Sequence, residues 1–383
     1  MLWKLTFQLV PLIALGAAVV FGVLPLRLPR RRLWLAVAIL ALAFSKFTVF
    51  AVVGGDAFTP DLPAPVIWLF GWAYGAAMFY ALFACAAWPV DIVRLLLRRP
   101  AGLRYRRVRA VALAVLAVAL ASWGMFEGLR TPSVRHVEIA WSELPASFDG
   151  YRIVHLSDIH CSSAARKPRF RRIVDCVNSL DPDLVAITGD FVDGLPADRL
   201  NDISPFRLLR SRDGVVGCTG NHEMYWRWDS WRGNLTGLGI TFPEETGPIE
   251  IRRGESSIFV GGMRDRVFFA SIDDWRVGEA FAGVPDGAFL VLLCHRPFTA
   301  ATGAAEADVR LQLSGHTHGG AMPLLSRLVA RFNEGRVRGL FEFAPGRFLH
   351  VSPGTGQWAG FPLRLLNPSE ITVIVLRRAS ARR

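Results

Sequence analysis

The chain has 383 residues, 52% of them hydrophobic, and a formal net charge of +12. That length accommodates a membrane region and one soluble domain with a sizeable core. Residues 1–127 hold 13 Lys/Arg against 4 Asp/Glu, which leaves only +3 for residues 128–383 and argues against a binder of nucleic-acid backbones.

The apolar excess comes first along the chain. Four stretches, Leu5–Leu26, Leu33–Val53, Val66–Ile92 and Val108–Phe126, each reach the ~20 residues that cross a hydrocarbon core as a helix. A cleaved secretory leader is the rival reading of the first, but the Pro-Leu-Arg-Leu-Pro-Arg-Arg-Arg that ends it offers no small-residue cleavage site. Arg27, Arg30, Arg31 and Arg32 follow the first span, and Arg94, Arg98, Arg99, Arg104, Arg106, Arg107 and Arg109 follow the third. The intervening loop Gly54–Pro63 has Asp56 and Asp61 and no Lys or Arg. Lys and Arg concentrate in cytoplasmic loops. The pattern predicts a multi-pass integral membrane protein whose chain emerges on the extracytoplasmic side after span four. Lys46, inside span two, reads as a side chain snorkelling to the outer interface.

Residues 128–150 form a connector with one strand, on which Val137, Ile139 and Trp141 share a face, closed by a Phe-Asp-Gly turn. From Tyr151 the pattern alternates strand and helix. Strands are predicted at Tyr151–Ser157, Leu184–Thr188, Gly214–Thr219, Phe289–Cys294, Val309–Ser314 and Ile371–Arg377, with a helix at Arg169–Leu180 that Asp181-Pro182-Asp183 breaks. Apolar runs this short suggest strands buried on both faces in a layered α/β fold. The expected organisation is a four-helix transmembrane region over 1–127, the connector, and a domain over 151–383. Five cysteines show no Cys-x-x-Cys pairing and read as buried thiols, with one disulfide open to an exported domain.

Polar residues recur just past the strand ends, where α/β sheets build their sites. They are Asp158 and His160; Gly189-Asp190; Gly220-Asn221-His222-Glu223; His295; and Gly315-His316-Thr317-His318. Five of the eight histidines stand at these ends. Taken singly, each residue is ordinary: Asp and Asn favour turns, and a lone His beside a strand is usually structural. The ordered set is not explained by turns and caps. Asp158, His160, Asp190, Asn221, His295, His316 and His318 offer carboxylate, imidazole and amide oxygen, a mix suited to Mn, Fe or Zn. Seven ligands exceed one four-coordinate site and suit two metals sharing a bridge. Asp158 and His160, like His316 and His318, are two apart, and in extended backbone such side chains point to one face. His136, His155 and His350 lie outside the set and read as structural, with His155 close enough to support a ligand.

In order and type these five segments resemble the motifs of the calcineurin-like metallophosphoesterases, over about residues 150–378. The likeness is nearest to the bacterial membrane-anchored branch, transmembrane proteins with a metallophosphoesterase domain, and implies a bacterial inner membrane location. It implies a layered α/β/β/α sandwich of two mixed sheets. It also implies that Asp158, His160 and His318 hold one metal, Asn221, His295 and His316 the second, and that Asp190 bridges them. A hydroxide between the metals would attack phosphorus. His222 would then be catalytic without being a ligand, neutralising the transition state or protonating the leaving oxygen, while Asp193 either orients a ligand or is a turn carboxylate. Many members of this type have Gln where this chain has Ala321, so the resemblance carries the chemistry further than the specificity.

Two segments bear on substrate. Trp226, Trp228 and Trp231 follow the Asn-His-Glu segment and suggest an amphipathic rim, or else packing under a loop. Leu324, Leu325, Leu328, Val329 and Phe332 fall on one helical stripe, which is a lip for a lipid tail or a face packed on the core. The expected function is a membrane-bound metallophosphoesterase hydrolysing a phosphodiester or pyrophosphate, with a lipid-linked or cell-envelope substrate. The alternatives are a phosphodiesterase for soluble nucleotides anchored by its spans, and an inactive membrane sensor or scaffold. A transporter fits poorly with so few charged residues in the spans.

Overall fold

The computed structural model describes residues 2–265, 277–297 and 307–379, with side chains from Leu9 onward except at 323–324. The chain divides into two compact units: Met1–Leu129 with Ala359–Leu365, and Arg130–Trp358 with Leu366–Arg383.

The first unit is helical. It contains α1 (Leu2–Ala17), α2 (Arg30–Phe44), α3 (Lys46–Val53), α4 (Ala64–Leu96) and α5 (Leu103–Leu129). Among the described residues, three helical segments are long and apolar enough to cross a membrane, or four if the pair α2–α3 counts as one broken span. That pair covers the span expected over 33–53 and is bent: its axes differ by 57°. The bend sits at Ser45, whose Oγ donates to the Leu42 carbonyl at 2.8 Å, a bond that competes with the helical ladder. With 33 residues, α4 is about 50 Å long, well beyond a ~30 Å hydrocarbon core. Near its end Asp91 accepts from Arg109 Nη1 of α5 at 2.7 Å.

Lys46 does not snorkel. It is 1% exposed, and its Nζ donates to the Gly360 carbonyl at 2.5 Å. The rings of Phe47, Phe50, Tyr74 and Phe361 surround the ammonium, with centroids 4.4–5.4 Å away. Aromatic faces and one carbonyl therefore replace its hydration. Lys46 thus ties the segment Ala359–Leu365 to α3, and Arg364 N–H adds a bond to the Gly124 carbonyl of α5 at 2.9 Å.

The second unit holds two mixed six-stranded sheets. The first orders β1 (Ser133–Trp141), β12 (Glu370–Arg378), β2 (Arg152–Leu156), β3 (Leu184–Thr188), β4 (Val215–Cys218) and β5 (Ile240–Thr241). The second orders β10 (Gly339–Ala344), β11 (Arg347–Val351), β9 (Val309–Ser314), β8 (Phe289–Cys294), β7 (Ser256–Met263) and β6 (Ile249–Arg253). Strands β2, β3 and β4 are mutually parallel, as are β8 and β9.

Alternation along the strands explains the continuous apolar runs. Ile153, Leu184 and Ala186 join Val291, Leu293, Leu311 and Leu313 of the second sheet in one core. Their neighbours Val154, Val185 and Ile187 join Phe170, Ile173, Val174 and Val177 in another. Those four lie on α6 (Lys167–Ser179) at amphipathic spacing, each worth ~1.5–3 kcal/mol when buried. The helix starts two residues earlier than expected because Pro168 occupies its first turn. On β1, Ile139 and Trp141 are buried and Val137 is half-buried; Trp141 Nε1 donates to the Gly346 carbonyl at 2.7 Å.

One polar pair spans the two sheets. His155 of β2 and His350 of β11 face each other at 3.0 Å between Nδ1 atoms, and His155 Nε2 meets Thr188 Oγ1 at 2.8 Å. Burial, then the Arg135 charge, lowers His350 to about 3; burial, then His350, lowers His155. Both stay neutral in the fold while unfolded histidine titrates near ~6.5. Below that pH the unfolded chain takes up protons that the native one refuses, so stability falls as pH falls. His350→Gln should flatten the pH dependence of unfolding free energy by about 1.4 kcal/mol per pH unit between roughly pH 6 and pH 4. An unchanged slope in denaturant unfolding would show that the pair does not set acid stability.

Candidate metal centre

The carboxyl ends of β2, β3, β4, β8 and β9 deliver the sequence-predicted residues to one place. Ligand-type atoms of Asp158, His160 and His318 lie within 4.8 Å of one another, and so do those of Asp190, His295 and His316. A third such group is His160, Asp193 and His222. Asp190 of the second group also faces the first: its Oδ2 is 3.2 Å from His295 Nε2 and 3.8 Å from His160 Nε2.

The residues converge for a different reason than the expected two-residue alternation. Asp158, His160, Asp190, His316 and His318 all have positive φ, between 48° and 69°. Their backbone is left-handed, not extended, so each side chain is aimed by a tight turn past its strand. Such residues cost of order 1–3 kcal/mol each unless their surroundings hold them. Close backbone approach is part of that hold. A Cβ on Gly315 would fall 1.8 Å from Ser157 Oγ, and one on Gly220 would fall 2.3 Å from Asp190 Oδ1.

Hydrogen bonds fix the imidazoles. Asp193 Oδ2 takes His160 Nδ1 at 3.2 Å, leaving Nε2 to face His318 Nε2 at 3.1 Å. The Thr188 carbonyl takes His295 Nδ1 at 2.8 Å, leaving Nε2 to face His316 Nδ1 at 3.2 Å. Imidazole nitrogens facing each other, with the far nitrogens of His160 and His295 engaged, suit metal-binding histidines. Asp158 accepts the His316 N–H at 3.1 Å and lies 3.4 Å from His318 Nε2.

Asn221 opens α8 (Asn221–Tyr225), and its Oδ1 is buried without a hydrogen-bond partner among the described residues. A buried amide oxygen in that state is costly unless a cation takes it. The donor chemistry therefore fits divalent ions, and the orphaned Oδ1 is the sharpest sign of it.

His222, also on α8, has its Nδ1 2.5 Å from Asp193 Oδ1 and its Nε2 3.9 Å from Asp190 Oδ2. Burial opposes its charge, but Asp190 and Asp193 outweigh burial and raise it to about 9. Asp193 is held at about 2, burial opposing and His160 and His222 prevailing. It is thus no mere turn carboxylate, since each oxygen orients one histidine. Glu223 accepts from the N–H groups of Asp190, Phe191, Val192 and Gly220 at 2.7–3.2 Å, stapling the loops after β3 and β4 together.

Three contributors carry no sequence signal. Thr188 acts through its carbonyl. Asn367 donates to the His318 carbonyl at 2.6 Å, and Trp358 packs on His222 and His318, both from far beyond the last motif. The tryptophan rim is corrected: Trp228 and Trp231 of α9 (Trp228–Thr236) are buried in the core, with Trp226 packed against it. On the helix after the last motif, Pro323–Phe332, Leu328 and Phe332 are exposed, Leu325 and Val329 are half-buried, and Leu324 lies outside the described side chains. The five cysteines form no disulfide with one another.

Residues 151–320 match the family model described as calcineurin-like phosphoesterase. A zebrafish (Danio rerio) transmembrane protein with metallophosphoesterase domain is 34% identical over 71% of this chain, which spans 63% of that protein's length. The cattle (Bos taurus) protein of the same description is 29% identical over 91% of this chain and 81% of its own. An uncharacterized metallophosphoesterase of Campylobacter jejuni is 31% identical over 80% of this chain and 82% of its own. With these matches falling on the segments that build the site, the chain belongs to the calcineurin-like metallophosphoesterase family.

Proposed function

We propose that the protein is a membrane-bound, metal-dependent phosphoesterase that hydrolyses a phosphodiester or pyrophosphate. The reading is carried by two neighbouring donor groups, one of them containing Asp190, together with an Asn221 Oδ1 that accepts no hydrogen bond among the described residues. In it, Asp158, His160 and His318 would hold one divalent ion and Asn221, His295 and His316 a second, with Asp190 available to both. Nitrogen and oxygen donors without thiolate suit Mn, Fe or Zn. Such ions, when bound, supply Lewis acidity toward phosphoryl oxygens and a water activated near neutral pH.

The chain's own residues do the rest. Asp193 and the Thr188 carbonyl fix the ring orientations of His160 and His295. His222 keeps its Nδ1–H on Asp193, so Nε2–H is free to neutralise charge on the phosphoryl group or protonate the leaving oxygen. His222→Ala should retain bound metal and lose ~10²–10⁴-fold in kcat on bis-p-nitrophenyl phosphate, whereas Asp190→Asn should lose both metal and turnover. Equal turnover by wild type and Asp190→Asn would leave the inactive sensor or scaffold as the better reading.

The four-span count, with α2–α3 as one broken span, and the α/β/β/α layering belong to the same proposal. So does an extracytoplasmic catalytic unit, supported by the basic loops after spans one and three. A reporter fused after Arg383 should be active only outside the cytoplasm, and activity confined to the cytoplasm would reverse the topology.

A lipid-linked or cell-envelope substrate draws support from exposed Leu328 and Phe332 beside Arg327 and Arg331 on the helix Pro323–Phe332, an apolar and basic surface suited to a headgroup region. Liposome-presented phosphodiesters should be turned over faster than soluble analogues by the full chain. No advantage for liposomes would favour a soluble nucleotide substrate with the spans as an anchor.

A further inference from the structure

The candidate site meets solvent unevenly. The side chains of Asp158, His160, Asp190, Asp193 and His295 are 0–2% exposed, whereas His222 is 11% and His318 is 19% exposed. Trp358, half-buried, lies against the His222 and His318 rings. It is near-parallel to His318, with centroids 6.3 Å apart at 24°, and edge-on to His222 at 6.2 Å and 87°. Tyr225, 41% exposed, tilts against His222 at 5.3 Å. The histidine assigned to the leaving oxygen is thus flanked by two aromatic rings.

That geometry constrains what leaves. An ester oxygen within reach of His222 Nε2 places the carbon it carries one bond farther out, beside a histidine that both rings flank. Rings of this kind offer flat apolar surface with little side-chain freedom to lose, and they stack on any π face. We propose that Trp358, with Tyr225, forms the wall of the leaving-group subsite. It selects phosphoesters whose esterified group presents an apolar, planar face next to phosphorus. This specificity role rests on the phosphoesterase reading above.

Phenylphosphonate and methylphosphonate share a phosphoryl head and differ only in the ring, so their affinities isolate the wall. Each would be titrated calorimetrically into the metal-loaded full chain in detergent, beside bis-p-nitrophenyl phosphate turnover. The wild type should prefer the phenyl compound about tenfold, the about 1.4 kcal/mol of one decade. Trp358→Ala should abolish that preference while methylphosphonate affinity stays within roughly twofold; Trp358→Phe should keep most of it. If Trp358→Ala fails to bind metal or melts early, Trp358→Leu replaces it, being apolar but not planar, and should also lose the preference. A wild type without the preference, or one that survives both substitutions, overturns the proposal. A ring preference in a protein that hydrolyses no phosphoester would sink the catalytic reading and leave the wall standing.

Discussion

Four carboxylates, Asp158, Asp190, Asp193 and Glu223, are buried to 2% exposure or less where the strands end. A carboxylate taken out of water is costly unless paired and hydrogen-bonded, and this constraint organises the whole catalytic unit. Glu223 is met by four backbone N–H groups. Asp193 is met by two imidazoles, Asp190 by His295 and the His222 N–H, and Asp158 by His318 and the His316 N–H. The partners come from loops of both sheets, so satisfying these charges ties one sheet's strand ends to the other's. The left-handed turns are held by the same bonds.

The same compensation divides labour among the histidines. His160 and His295 each spend Nδ1 on an anchoring oxygen and turn Nε2 inward, where their nitrogens face those of His318 and His316. His222 is anchored likewise, yet sits at the more exposed margin with two aromatic neighbours. The division between ligand-like nitrogens and a proton-bearing one follows from which nitrogen of each ring is engaged and what the other faces.

The helical unit solves a related problem in apolar surroundings. Lys46 needs an acceptor where there is little water, and it finds the Gly360 carbonyl within an aromatic cage. The chain accordingly leaves the catalytic unit after Trp358, joins the helices over Ala359–Leu365 and returns at Leu366. Helix α3, which begins with Lys46, departs by 57° from α2 at Ser45, so the bend and the buried ammonium occur at neighbouring residues.

Much of this was written locally. The bounds of β3, β8 and β9 match the sequence reading to the residue, because short apolar runs closed by turn residues are set by nearest neighbours. The residues that converge were legible too, since carboxylates and imidazoles repeated at successive strand ends of a layered α/β fold arrive at one sheet edge. What the sequence could not give was whatever depends on distant partners. Trp226, Trp228 and Trp231 read as a rim or as packing under a loop, and the core decides for packing, because a tryptophan's burial is set by what covers it. Lys46 read as a snorkelling side chain until Gly360, 314 residues away, supplied its acceptor. The turns that aim Asp158, His160, Asp190, His316 and His318 are left-handed because loops from two sheets press together there, and Trp358 reaches His222 only through that closure. The sequence determined which chemical groups this protein brings to its strand ends; the tertiary structure decided their orientation, because side-chain direction in a turn is fixed by contacts that chain order does not record.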